Sequence, residues 1–114
     1  MGAKVRRYCG SYLLEFDGDK VREYCGSYRY QLENGKVREY CGSYKYEICG
    51  NTIRRYCGPS LLEVNGNTIR RYCGPNIATI EGSNIREYCG PYLYTIDGFL
   101  THEQMMMLIA LLFA

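Results

Sequence analysis

Apolar and polar positions repeat along this chain with a strict period. An aliphatic residue (Val5, Val21, Val37, Ile53, Ile69 or Ile85) opens each of six 16-residue units that follow one another without insertion or deletion. Counting positions from that residue, position 2 is Arg, position 4 Tyr, position 5 Cys and position 6 Gly in every unit. Position 7 is Ser in three units and Pro in three, so a Gly-Ser or Gly-Pro turn follows the first apolar segment. A second segment comes next, such as Tyr92-Leu93-Tyr94-Thr95-Ile96. In it, positions 8, 10 and 12 are mostly apolar and position 11 is Glu, Gln or Thr. That period of two marks a strand with one buried face. Asp17-Gly18, Asn65-Gly66 and Glu81-Gly82 close their units, whereas Asn34-Gly35 falls one position later and predicts a slightly different register at that turn.

Each unit therefore reads as strand, turn, strand, turn, with strands of about five residues. The fold class is all-β, a short-period repeat protein with a single domain over residues 1–114. Residues 5–100 hold the six repeats and 101–114 an apolar C-terminal helix. The first strand is less regular than the second. Positions 1 and 5 look buried, yet position 3 between them carries Arg7, Glu23, Glu39, Arg55, Arg71 and Glu87. A charge does not sit unpaired in a narrow core, so either the strand is bulged there or that face is only partly covered.

Two layouts fit this unit. In a β-solenoid each unit is one coil with two short strands, and six coils stacked about 4.8 Å apart make a rod about 29 Å long. In an antiparallel β-hairpin meander, a two-residue Gly-Ser turn sets Arg38 against Glu47 and Arg54 against Glu63. The C-terminus favours the solenoid. Thr101 and Gln104 have the spacing of a capping box, Leu100 and Met105 that of a hydrophobic staple, and the helix from Met105 to Phe113 is apolar almost all round. Such a helix suits the open end of a solenoid as a capping lid. Nothing comparable precedes Val5. A bare first coil and an over-apolar helix together predict a homodimer, through the N-terminal coil or the C-terminal helix.

Composition changes this picture little. A net charge of +2 gives no strong pull towards nucleic acid or membranes. Met1 to Lys4 lead straight into the first repeat with no apolar leader, and seven Cys leave at least one thiol unpaired. Reduced thiols in the cytoplasm are the expected state. The segment from Met105 to Ala114 is too short to span a bilayer.

The most chemical feature is a cysteine ladder, Cys9, Cys25, Cys41, Cys57, Cys73 and Cys89, with Cys49 out of phase in a turn and expected to be exposed. Its spacing matches no zinc motif, so it reads as a structural row of small buried side chains rather than a metal or redox centre. A possible partner surface is the row Arg6, Arg22, Arg38, Arg54, Arg70 and Arg86 beside Tyr8, Tyr24, Tyr40, Tyr56, Tyr72 and Tyr88. Such a stripe suits phosphates or an acidic partner, although recurring Glu residues balance it. His102 is the single histidine, and no catalytic triad or metal site can be built around it. The chain resembles short-period β-solenoids in layout only, without calcium-binding or ice-binding repeats. The expected function is a non-enzymatic structural or interaction protein that self-associates and needs no cofactor. The alternatives are a polyanion binder through the Arg-Tyr stripe and a thiol-ladder metal or redox protein.

Overall fold

The computed structural model describes residues 3–114. Among them each unit supplies a short and a longer strand: β1 (Lys4–Arg7) and β2 (Tyr12–Asp17), β3 (Lys20–Glu23) and β4 (Tyr28–Glu33), β5 (Lys36–Glu39) and β6 (Tyr44–Cys49). The second half continues with β7 (Thr52–Arg55) and β8 (Ser60–Asn65), β9 (Thr68–Arg71) and β10 (Asn76–Glu81), β11 (Asn84–Glu87) and β12 (Tyr92–Asp97). Helix α1 (His102–Phe113) ends the chain. The all-β repeat with a C-terminal helix is thus as expected, but the units do not stack as solenoid coils. Every strand runs antiparallel to its neighbours, and β1 pairs with β12, so the hairpin meander closes into a barrel. The molecule is a disc of 36 × 35 × 17 Å rather than a rod.

Closure repeats the rule of the units. Asp97 faces Lys4, Ile96 faces Val5 and Thr95 faces Arg6 across the seam, in the register by which Asp17, Phe16 and Glu15 face Lys20, Val21 and Arg22. Twisted antiparallel hairpins of equal curvature come round to their own first edge, and pairing it satisfies a row of backbone groups that would otherwise be exposed. The two surfaces expected to form a dimer are therefore occupied within one chain: the first strand is paired, and the middle of α1 is buried.

At one rim of the barrel the turns are tight. Gly18, Gly50, Gly66 and Gly82 have φ of 60–64° and join strands through two-residue loops. At Asn34-Gly35 both residues have positive φ (51° and 75°), the type I′ requirement, while Glu33 faces Lys36 as Asp17 faces Lys20. The turn type changes there and the register does not.

At the opposite rim the loops are wider, and this corrects two sequence expectations. Within each unit Val5 faces Leu14 but Arg6 faces Tyr12, so Leu13 is a bulge residue, and the same shift recurs in every hairpin. The bulge turns position 8 outward, so Tyr12, Tyr44 and Tyr92 are exposed instead of sharing the core with positions 10 and 12. It also sets Arg38 opposite Tyr44, while Arg38 faces Gln31, and Arg54 faces Glu47, across the neighbouring unit boundary. Position 3 lies at the rim and is exposed in all six units, which is how a charge is accommodated there.

The lumen is filled by α1. Val5, Val21, Val37, Ile53, Ile69 and Ile85 ring the helix, and residues 106–110 of α1 are as inaccessible as they are. Val21 and Val37 face the large Tyr30 and Tyr46, whereas Ile69 faces the small Ala78. Each such burial contributes about 1.5–3 kcal/mol. Thr101 caps the helix as expected: Gln104 N donates to its Oγ1, and its own N–H donates to Gln104 Oε1. The Gln104 side chain also donates to the Gly18 carbonyl at the tight-turn rim, while Leu112 and Phe113 lie beside Ile77 and Leu93 at the other rim. The helix is therefore an axial plug rather than an end lid.

Candidate functional site

With the lumen sealed, chemistry is confined to the outer belt and the two rims. The belt is built by positions 2, 4, 8, 11 and 13, which the strand period and the bulge turn outward together. All six arginines of the predicted row are part of it, and each forms an ion pair with a carboxylate. Arg22 Nη2 lies 2.8 Å from Glu15 Oε1 and Arg38 Nη1 lies 3.0 Å from Glu33 Oε1. Arg6 pairs with Asp97 and Arg86 with Glu81 at 3.4 and 3.2 Å. The looser pairs are Arg54–Glu47 at 3.7 Å and Arg70–Glu63 at 3.8 Å, and among the described residues the Nε atoms of these two arginines lack a hydrogen-bond partner. The row is a ring around the barrel rather than a tight ladder. Equivalent arginines are two strands apart, about 10 Å, where two charges in water repel by about 0.4 kcal/mol.

The tyrosines of position 4 each lean over position 8 of the preceding unit. Tyr24 stacks on Tyr12, Tyr40 on Tyr28, Tyr56 on Tyr44 and, across the seam, Tyr8 on Tyr92, with ring centres 4.9–5.3 Å apart. Lys4, Lys20 and Lys36 lie over these pairs at 5.5–6.0 Å. In the fourth and fifth units position 8 is Ser60 and Asn76, so Tyr72 and Tyr88 have no ring beneath them. Both are 49% exposed, against 38–46% for the four stacked rings of position 4.

Position 8 hydroxyls also bind the carboxylates: Tyr12 donates to Asp97, Tyr28 to Asp17, Tyr44 to Glu33 and Tyr92 to Glu81. Donation to a carboxylate raises the pKa of Tyr12, Tyr28 and Tyr92 above the ordinary phenol value. Glu33 accepts from both Arg38 and Tyr44 and is lowered below the usual carboxylate range.

The cysteine ladder is relocated. Cys9, Cys25, Cys41, Cys57, Cys73 and Cys89 are exposed free thiols at the wide-turn rim, not buried rungs, and Cys49 is exposed in a tight turn as expected. Each of the six sits third in a four-residue turn, as where Gly10 N donates to Arg7 O at 2.8 Å, with φ between 55° and 59°. The turn needs that left-handed residue and holds its side chain away from the lumen. The glycine after it carries a different constraint. A Cβ at Gly90 would lie 2.9 Å from that of Glu87, and the other five units leave only 3.0–3.1 Å. Neighbouring rim thiols lie about 10 Å apart by strand spacing, beyond the roughly 4.4–6.8 Å between Cα atoms that a disulfide requires. Among the described residues no three His, Cys, Asp or Glu side chains converge on a metal-sized space.

Among the described residues no helix is long and apolar enough to cross a membrane. The strands, at 4–6 residues, are shorter than the roughly 9–11 of a membrane barrel, and the outward belt is charged rather than apolar. No family model, no curated protein and no solved structure matches this chain.

Sequence reasoning missed the charged position 3 as a site feature. The structure gathers Arg55, Arg71 and Lys45 with Ser43, Tyr44, Tyr46 and Tyr56 around one cavity at the wide-turn rim. The available signal was the sign pattern at that position, where Arg55 and Arg71 are the two adjacent units that are both basic.

Proposed function

We propose that this protein is a non-enzymatic interaction scaffold that binds partners through its outer belt. The observation that carries this reading is the filled lumen. A barrel of this kind ordinarily offers its interior to a ligand, and here α1 occupies it. His102 is exposed in the first turn of α1, and the carboxylates are spread around the ring in ion pairs. The belt is least satisfied from the fourth to the sixth unit, where the Arg54 and Arg70 ion pairs are longest and Tyr72 and Tyr88 are unstacked. Exposed aromatics beside Arg are the residue types that anchor protein interfaces. A partner, a second copy of the chain included, is expected to contact that sector. The carboxylate facing every belt arginine favours this over a polyanion stripe. Seven exposed free thiols fit a reducing, cytoplasmic setting.

The test compares affinity capture by the wild type with capture by a Tyr72→Ser/Tyr88→Ser variant of unchanged circular dichroism. A partner held by the first and lost by the second supports the scaffold. Identical capture by both overturns the assignment of the surface.

A further inference from the structure

We propose that the wide-turn rim holds a binding site for a small organic phosphate, set between Arg55 and Arg71. These two arginines line one cavity of about 680 Å³ together with Glu39, Lys45, Tyr44, Tyr56, Leu61 and Ala114. Both belong to position 3, which the rim location leaves exposed. Their charges differ from every other Arg-bearing part of this sector in being uncompensated. The belt arginines face carboxylates, and Lys45 lies 3.9 Å from Glu39, whereas Arg55 and Arg71 form no ion pair among the described residues. Glu39 of the same lining is thus matched by Lys45, and the two guanidinium groups remain without an ion-pair partner.

The chemistry of the lining narrows the ligand. Two guanidiniums without carboxylate partners favour a dianion, and the paired N–H donors of each suit the oxygens of a phosphate monoester. Tyr44 and Tyr56, stacked at 5.0 Å, and Leu61 belong to the same lining, an apolar wall suited to a planar organic group. The C-terminal end of α1 points into the same space and has no basic residue in its own last turn. Its partial negative charge is a competing use for the two arginines, so neutralisation of the helix end alone is the alternative to be separated.

Phenyl phosphate titrated into the wild type by calorimetry tests the site, with phenol and inorganic phosphate as controls. The expected result is saturable one-to-one binding of phenyl phosphate, weakened at least tenfold by Arg55→Ala/Arg71→Ala and unchanged by Arg7→Ala on the far sector of the same rim. Amide shifts in the wild type should concentrate at Ser43, Tyr44, Arg55 and Arg71, a readout that survives even if the double variant folds poorly. Absence of saturable binding, equal weakening by Arg7→Ala, or shifts spread evenly around the rim would each overturn the proposal. A double variant that loses thermal stability while the wild type binds nothing would assign the arginines to the helix end.

Discussion

Tyr12 and Asp97, 85 residues apart in the chain, share a hydrogen bond of 3.0 Å across the seam where the last strand meets the first. The same Asp97 carboxylate takes an ion pair from Arg6 at 3.4 Å. Tyr28 and Asp17 make the equivalent bond within consecutive units, so local and long-range contacts obey one rule. The difference is entropic: closing the seam orders the whole chain, whereas each hairpin orders only its own unit.

Alkali should therefore act on the belt, and the sign follows from the raised phenol pKa of Tyr12, Tyr28 and Tyr92. A group whose folded pKa is raised stabilises below its ordinary value, and that contribution disappears as pH rises through the folded value. Stability is expected to fall above about pH 10, the ordinary phenol value, and to fall less in Tyr12→Phe/Tyr28→Phe/Tyr92→Phe. Glu33, whose pKa is lowered, has the opposite sign: its contribution is lost as pH drops below the usual carboxylate range. Urea midpoints measured from acid to alkali check both limbs.

Gly98 ends the last unit with φ of 113°, and a Cβ there would lie 3.1 Å from the Cα of Ala3. Gly98→Ala meets both an unfavourable backbone region and a backbone atom that cannot step aside. A loss of about 1–3 kcal/mol is expected. Gly66→Ala, which meets nothing within 4 Å at φ of 60°, should cost less. Equal losses in thermal unfolding would count against the seam as the tighter contact.

Met107 is completely buried on the axial helix, so Met107→Ala should cost about 2–5 kcal/mol. Met107→Asp should prevent folding, because the lumen holds no partner for its charge. Tyr24→Ser on the belt loses a ring stack but little burial and should cost under about 1.5 kcal/mol. Denaturation in urea ranks the three.

Cys57 pays in backbone strain for its φ of 56°. Cys57→Gly removes the side chain that makes the region unfavourable and should be neutral or stabilising by up to about 1 kcal/mol. Cys57→Val, β-branched in the same place, should destabilise by about 1–2 kcal/mol. Thiol titration of the native protein should count all seven cysteines as accessible, and slow titration of the six rim thiols would contradict their exposure.

Local features were legible from the chain because neighbouring residues set them. The two strands of each unit, the Asn-Gly and Asp-Gly turns, the inward positions 10 and 12 and the Thr101–Gln104 box all follow from patterns a few residues long. Position 8 was misread because one bulge residue, Leu13 and its equivalents, breaks a period that the side-chain types continue. The cysteines were misread for a related reason. Small and apolar, they look like core, and only the turn geometry places them at positive φ and in solvent.

By itself the sequence determined an all-β chain of six equal two-strand units and a capped apolar helix that needs burial on more than one side. Only the tertiary structure decided that the hairpins run as a meander, that β12 closes on β1, and that the helix is the plug of the resulting barrel. The physical reason is that a period specifies what every unit does to its neighbour and says nothing about where the last unit arrives. Accumulated twist brings β12 round to β1.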